Sequence, residues 1–329
     1  MEKIIVWGAG KTYSWYRKFL REHIQAGSIE IIAIVSRNNH AYIDGVKVIK
    51  SNEVKDYSFD SLVICVCEKY MGIVHNEIAK LNIGSVKVIG CSRYIKTIGF
   101  ETLRYQNIVK KQCLILTQLL EAKDEQVSSY RWIRDKICEY GVYPFKDIED
   151  ESILWTQWGI LQIIDEFAQF CVFISQYYLK DVVEIGVYKG RSSYFICALL
   201  TRINPHIRYV CVDIEDWMDS FEQYHAILPG IERCVPSTSI DFKDKKFDMV
   251  FIDAEHSYDA TMLDYLTVGN KANKFTVFHD IYAHEYDFLN GGTVRVWQEV
   301  KNNTPECKHY VFSKFPDEWM GIGIIEWNR

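Results

Sequence analysis

The chain lacks the patterns that would mark a disulfide-framed, membrane-spanning or polyanion-binding protein. Its ten cysteines, at 65, 67, 91, 113, 138, 171, 197, 211, 234 and 307, contain no CxxC pair and no regular framework. Most lie inside apolar runs such as Leu62-Val-Ile-Cys-Val-Cys67, where a thiol behaves as a small buried hydrophobe. Reduced thiols in a cytoplasmic compartment are therefore expected, and Cys65 and Cys67 are not read as metal ligands. No apolar stretch approaches the ~18 residues of a membrane span. The first strand runs into glycine rather than into a signal peptide, so export by that route is not expected. Low-complexity tracts and internal repeats are absent. Lys+Arg 38 against Asp+Glu 44 gives a net charge of −6, so nothing in the bulk charge favours nucleic acid. What remains is a chain of 329 residues, 48% hydrophobic and 25% charged, an ordinary globular balance too long for one average domain.

The pattern divides that length unequally. Residues 1–97 alternate strand and helix: a strand over Lys3 to Trp7, a turn at Gly8-Ala-Gly10, and a helix over 12–26 ending at Gly27. Strands follow at Ile29 to Ser36, Ser61 to Cys67 and Val86 to Gly90, with helical spacing at Ile73, Ile78 and Leu81 between the last two. This is a smaller parallel α/β domain of Rossmann type. Residues 98–150 read as a helical connector, carried by Ile108, Val109, Leu114, Leu116, Leu119 and Leu120 and closed by a turn at Gly141 to Pro144. Residues 151–329 form a second α/β domain. It opens on an expected helix from Ile153, with Ile160, Leu161, Ile164, Phe167, Ala168, Cys171 and Ile174 at period 3.6. Then come a strand over Val182 to Ile185, a helix over 191–202 and strands over Arg208 to Val212 and Met249 to Ile252. A helix over 258–268, a strand over Phe275 to Phe278, and an antiparallel pair at 308–313 and 321–327 around a turn at Lys314 to Glu318 complete it.

Two glycine turns could hold a ligand. At the first, a phosphate loop would need a glycine five residues before Gly10, where Ile5 stands. Tyr13 replaces the third glycine of a dinucleotide fingerprint, and Ser36-Arg37 stands where a ribose-binding acid is expected. A nucleotide site and a structural or partner-docking module both remain open for this domain. The second turn, Asp181-Val-Val-Glu184-Ile-Gly186-Val-Tyr188-Lys-Gly190-Arg-Ser192-Ser193, leads from a strand into a helix, and Asp213 ends the next strand. Glycines allow close backbone approach, and a helix N-terminus offers N–H groups to a carboxylate. Glu184 and Asp213 can divide an ammonium and a ribose diol between them. The spacing Glu184-x-Gly-x-x-x-Gly190, with Asp213 29 residues after Glu184 (213 − 184), argues against a pyrophosphate cofactor.

This second motif resembles the class I S-adenosylmethionine-dependent methyltransferases, in which the motif acid, the glycines and the second-strand acid bind the cofactor. Phe247 to Tyr258 adds Asp253 at a strand end and His256 three residues on, and Phe275 to Ile281 ends the next strand with His279-Asp280. All four polar groups fall at the carboxyl edge of the sheet, where open α/β sheets bind ligands. With Gly291-Gly-Thr-Val-Arg-Val-Trp297 and the terminal hairpin, residues 153–329 resemble the macrocin-type sugar O-methyltransferases. The resemblance implies a Rossmann-like sheet, S-adenosylmethionine as cofactor, and methylation of a sugar hydroxyl in polysaccharide or natural-product synthesis. It assigns Asp253 and His256 to an Asp-x-x-His element supplying a metal ligand and a base. His279 stands where the family has an acid beside Asp280, so a Mg, Mn or Fe ion on Asp253, His279 and Asp280 requires the strand to have ended before Asp280; otherwise Asp280 orients a histidine or the substrate.

An aliphatic hydroxyl barely ionises near neutral pH, so methyl transfer needs a base, and an imidazole suits that task. His256 is the expected base; the plainer reading is a cap on the helix beginning near Ser257. Val235-Pro-Ser237-Thr-Ser239 is placed to bracket an adenine, with Ser237 or Ser239 donating, and Tyr188 to face the ligand. Trp155, Trp158 and Gln162 either cover the cofactor or belong to the core. The expected partner is a small-molecule or glycan acceptor, without nucleic acid or membrane insertion, with a homo-oligomer left open. Two other functions stay in view. One is a nucleotide-dependent sugar reductase or epimerase in the first domain, which lacks a Tyr-x-x-x-Lys pair in its first hundred residues; the other is a non-catalytic cofactor-binding module.

Overall fold

The computed structural model describes the chain except residues 38–39, 68–69, 82, 85, 98–99, 145–151 and 315–318, so most of the turn expected at Lys314 to Glu318 lies outside the described residues. It divides into two compact units, Met1–Asn107 and Ile108–Arg329. Among the described residues no helix is long and apolar enough to cross a membrane. None of the ten cysteines is in a disulfide.

The first unit contains β1 (Glu2–Trp7), α1 (Lys11–Gln25), β2 (Ile29–Val35), β3 (Tyr42–Ile43) and β4 (Val46–Ile49). It continues with β5 (Ser61–Ile64), α2 (Met71–Ala79), β6 (Lys87–Gly90) and α3 (Cys91–Thr97). Its sheet order is β3-β4-β2-β1-β5-β6, parallel except for the β3–β4 hairpin. Continuous apolar runs explain the central strands, since sheets covered on both faces need no alternation. Ile4, Ile5 and Val6 are fully buried, with Leu62 and Val63 beside them. Gly8 has φ +109, and a Cβ there would stand 2.5 Å from the Cys65 carbonyl oxygen. Close approach of two backbones therefore accounts for this glycine without a ligand.

Helix α4 (Phe100–Leu120) continues into the second unit, which adds α5 (Asp124–Val127), α6 (Tyr130–Tyr140) and α7 (Ile164–Ile174). The helix expected from Ile153 begins only at Ile164. Residues 154–160 instead form an irregular stretch that turns at 157–158, with isolated bridges from Val142 to Trp155 and to Ile160. Gly159 lies so close to this partner that a Cβ would stand 2.5 Å from the Val142 carbonyl carbon. Ile160 is buried through the bridge, so its helical spacing with Ile164 is coincidental.

The remaining elements are β7 (Asp181–Ile185), α8 (Arg191–Ile203), β8 (Arg208–Val212), α9 (Phe221–His225), β9 (Ile231–Cys234) and β10 (Met249–Ile252). After them come α10 (Tyr258–Thr267), β11 (Phe275–His279), α11 (Gly292–Asn303), β12 (Lys308–Phe312) and β13 (Ile322–Glu326). The sheet order is β12-β13-β11-β10-β7-β8-β9. Strands β7 to β11 pair in parallel, and β13 joins antiparallel between β11 and β12. The order reverses beside β7, so its carboxyl end and that of β10 open onto the crevice where such sheets take ligands. The second unit is thus a mixed α/β sheet of Rossmann-like form ending in an antiparallel hairpin, and the first is a smaller α/β unit.

Candidate active site

A cavity of about 760 Å3 lies over this edge of the second unit. That falls within the roughly 300–1,000 Å3 of small-molecule sites. Its floor is the β7 turn. Gly186 has φ +85, and a Cβ there would stand 2.2 Å from the Asp253 carbonyl oxygen, so only glycine lets the turns after β7 and β10 meet. Tyr188 follows at φ +46 and is half-exposed on the cavity wall. Gly190, at φ +71, precedes α8 without a side-chain cap, so the first N–H groups of that helix keep their donor capacity beside Ser192. Asp213, just past β8, accepts Val187 N–H at 3.1 Å and Tyr188 N–H at 2.8 Å on Oδ2, and Glu215 N–H at 3.3 Å on Oδ1. It shapes the turn while lining the cavity, and a carboxylate has about four acceptor positions, leaving capacity for a diol.

Glu184 needs correction as a cavity residue. It is 1% exposed, does not line the cavity, and accepts the Tyr209 hydroxyl at 2.6 Å. Side chains alternate along a strand, and position 184 falls on the face covered by α8 rather than at the open edge. Burial pushes its carboxyl up to about 7, against the opposing Tyr209 bond.

Four polar residues meet on the opposite wall. Asp253 follows β10 and accepts Gln162 Nε2 on Oδ2 at 3.0 Å, while its Oδ1 lies 3.0 Å from His279 Nδ1. Asp280 has φ +59 immediately after β11, so the chain turns there and its carboxylate reaches His256 Nε2 at 2.6 Å and His279 Nδ1 at 3.4 Å. The His256 ring stacks on Tyr286 with centroids 4.4 Å apart and planes at 7°. Burial alone would lower the pKa of His256, but the bond to Asp280 and the charges of Asp280 and Asp253 outweigh it and raise the pKa. For His279, 3% exposed, burial is likewise overcome by Asp253 and Asp280, which hold it well above the usual histidine range. Asp280 is held below the usual carboxylate range: its burial cost is outweighed by His279 and His256. Ser257, not His256, caps α10, accepting Ala260 N–H at 3.3 Å.

Asp253, His256 and Asp280 present ligand atoms within 4.8 Å of one another, a set able to hold a divalent ion. His279, expected in that set, is directed at the two carboxylates, and its Nε2 is buried with no hydrogen-bond partner among the described residues.

Ser237 and Ser239 line the cavity beyond Asp213, with Thr238 between them. The Ser237 hydroxyl donates to Asp241 at 2.7 Å, and Ser239, 1% exposed, bonds to Asp264. Trp155 and Trp158 do not line the cavity, whereas Gln162 and the unexpected Leu161 do. Glu285, Tyr286, Trp319 and Met320 also line it and went unread, because they sit on irregular connections without periodic pattern. The Gly291-Gly292 motif proves to be packing: a Cβ on Gly292 would stand 3.0 Å from the His256 carbonyl oxygen.

Residues 183–281 match the family model described as "Methyltransferase domain", and residues 1–89 match "C2185-like, N-terminal". No curated protein matches the chain. Among solved structures, the chain is similar to the O-methyltransferase TomG of Streptomyces achromogenes, involved in tomaymycin synthesis and bound to S-adenosylmethionine. That match has 15% identity and a TM-score of 0.41, covering 50% of this chain and 81% of the other. An O-methyltransferase of Bacillus cereus in complex with S-adenosylhomocysteine matches at 13% identity and TM-score 0.41, covering 52% and 84%. The S-adenosylhomocysteine-bound methyltransferase PaMTH1 of Podospora anserina matches at 13% identity and TM-score 0.40, covering 63% and 89%. Within the second unit, residues 183–281 are therefore similar to a methyltransferase domain.

Proposed function

We propose that this protein is an S-adenosylmethionine-dependent O-methyltransferase acting on a sugar hydroxyl, with residues 151–329 as its catalytic domain, 98–150 as a connector and 1–97 as an accessory domain. The observation that carries the reading is the His256 imidazole, held at 2.6 Å by Asp280 on a wall of the same cavity that contains the β7 turn and Asp213. The uncapped start of α8, beside Ser192, takes the methionine carboxylate, Asp213 a ribose hydroxyl, and the Ser237 to Ser239 turn the adenine edge. Gly186 lets the turns after β7 and β10 close beneath the cofactor, Gly190 starts α8 packed against Met218 and Tyr194, and Tyr188 covers one side. When bound, S-adenosylmethionine supplies a methyl group on a sulfonium and departs as neutral S-adenosylhomocysteine.

His256 donates Nε2–H to Asp280, which leaves Nδ1 as the atom that receives the acceptor's proton while the new O–CH3 bond forms and the S–CH3 bond breaks. Asp253 holds the adjoining wall through Gln162 and His279. A divalent ion, where one is bound, would be held by Asp253, Asp280 and His256 and would lower the acceptor hydroxyl's pKa in place of the His256 base, since it would take that ring's one basic nitrogen. The reading places the protein in the cytoplasm, in polysaccharide or natural-product synthesis.

Calorimetric titration with S-adenosylmethionine and with NADP, run separately, is the first test: binding of the former alone is expected, and binding of NADP alone overturns the proposal. His256→Ala should then abolish methyl transfer while sparing cofactor affinity; equal loss of both removes His256 from the role of base.

A further inference from the structure

The connection between β12 and β13 is fastened at both ends by one buried carboxylate. Glu166, in the first turn of α7 and 1% exposed, accepts Lys314 N–H on Oε1 at 3.1 Å and Gly321 N–H on Oε2 at 2.9 Å. Between these points Trp319 and Met320 reach the cavity wall. The same stretch is tied to the connection after β11, where Tyr282 N–H donates to the Met320 carbonyl at 2.8 Å and Trp319 Nε1–H donates to Glu285 Oε1 at 2.5 Å. Met320 at φ +64 and Gly321 at φ +77 make the turn that this fastening requires. A Cβ on Gly321 would stand 2.6 Å from the Tyr282 ring.

The charges lining the cavity are also unevenly placed. Its lysine and arginine, Lys189 and Arg191, both lie at the β7 turn. Arg191 pairs with Asp219, and Lys189 donates to the Gln157 carbonyl at 3.2 Å. The end bearing His256 instead carries Asp253, Asp280 and Glu285 beside Tyr286 and Trp319, with no lysine or arginine among the described lining residues. The cationic groups there are the His256 and His279 imidazoles, which Asp280 and Asp253 already hold, so a phosphate entering that end would meet Glu285 and two carboxylates without an unpaired cation to receive it.

We infer that Trp319 and Glu285 are the acceptor-recognising residues, that Glu166 positions them, and that this end of the cavity takes an uncharged hydroxylated ring and discriminates against phosphate-bearing acceptors. The inference rests on the methyltransferase reading of the cavity. The indole offers an apolar platform to the C–H face of such a ring, and the Glu285 carboxylate accepts a ring hydroxyl. Glu166 touches neither ligand and acts only through the peptide N–H groups it fastens.

The test uses the full chain saturated with S-adenosylhomocysteine and saturation-transfer NMR, with methyl hexopyranosides and their UDP-hexose counterparts as separate probes. Ring-proton transfer from at least one methyl glycoside is expected, with the UDP conjugate binding no more tightly. Trp319→Ala should weaken that glycoside at least about fivefold. Glu166→Gln, which keeps one acceptor for the two N–H groups, should weaken it by about threefold, and Glu166→Ala by more. In all three variants S-adenosylhomocysteine affinity should stay within about twofold, a split that general loss of folding would not produce. A UDP-hexose binding about tenfold tighter than its glycoside, glycoside affinity indifferent to the Trp319 and Glu166 substitutions, or no transfer from any glycoside while S-adenosylhomocysteine binds would each overturn this inference alone. Failure of S-adenosylhomocysteine itself to bind overturns the methyltransferase reading beneath it.

Discussion

Glu184→Gln separates two roles for the acid of the β7 motif, cofactor ligand or buried support. With its carboxyl at about 7 in the folded chain and 4.5 ordinarily, Glu184 keeps its proton between those values while the unfolded chain has released it. Folding then binds a proton, so the contribution of this group falls as pH rises from 4.5 to 7 and is flat above. The difference, 7 − 4.5 = 2.5, is worth about 3 kcal/mol at about 1.4 kcal/mol per pH unit. Glutamine keeps an oxygen for the Tyr209 hydroxyl and carries no charge, and exchanging its bond with the Ser193 hydroxyl costs at most about 1–3 kcal/mol, which does not depend on pH. The pH-dependent part is therefore isolated by comparing the two proteins at two pH values. Urea unfolding near pH 4 and near pH 8.5 should show the variant gaining about 3 kcal/mol relative to the native protein between the two. Glu166, also near 7, is present in both proteins and cancels. S-adenosylmethionine affinity should change less than about twofold. A relative gain below about 1 kcal/mol would refute the burial argument, and a tenfold loss of cofactor affinity would restore Glu184 to the cofactor.

Three further substitutions probe the cavity. Gly186→Ala places a Cβ 2.2 Å from the Asp253 carbonyl at φ +85, and thermal unfolding should show a loss of about 3 kcal/mol or more; an unchanged Tm would refute the contact. Asp213→Ala removes the acceptor of three backbone N–H groups in and around the β7 turn, so calorimetry should show S-adenosylmethionine affinity reduced about tenfold or more. Affinity within about twofold of the native value would exclude Asp213 from the site. Asp280→Asn keeps an oxygen for His256 Nε2–H but removes the charge that stabilises the imidazolium; kcat should fall about a hundredfold with S-adenosylhomocysteine binding unchanged. An unaltered kcat would separate Asp280 from the base.

Much of the second sheet was legible because its strands are short apolar runs between turn residues. Arg208–Val212 and Met249–Ile252 fall where the runs predict them. The same logic misled between Ile153 and Ile163, where residues buried by a bridge to Val142 mimic helical spacing. The β3–β4 hairpin was missed although Asp44-Gly45 is a strong two-residue turn signal, with φ +50 and +77; each strand is too short to show a period. Glu166, Tyr286 and Trp319 left no local trace, since what they do depends on partners far along the chain. Glu166, for example, is tied to Gly321, 155 positions away.

The pair His279-Asp280 shows why such a site resists being read from sequence. Alternation along a strand would send the two side chains to opposite faces, and only one could then face Asp253. The strand ends at His279, and Asp280 takes the left-handed conformation at φ +59, which aspartate tolerates better than most residues. That single turn brings the Asp280 carboxylate back toward His279 Nδ1 at 3.4 Å and into contact with His256 at 2.6 Å. Both imidazoles thereby share one carboxylate, and His279 reaches Asp253 as well. The order of the residues supplied the chemical groups, but a backbone torsion decides whether they form one cluster or two unrelated strand ends. Any substitution that returns position 280 to extended backbone should therefore disconnect His256 even where a carboxylate is retained.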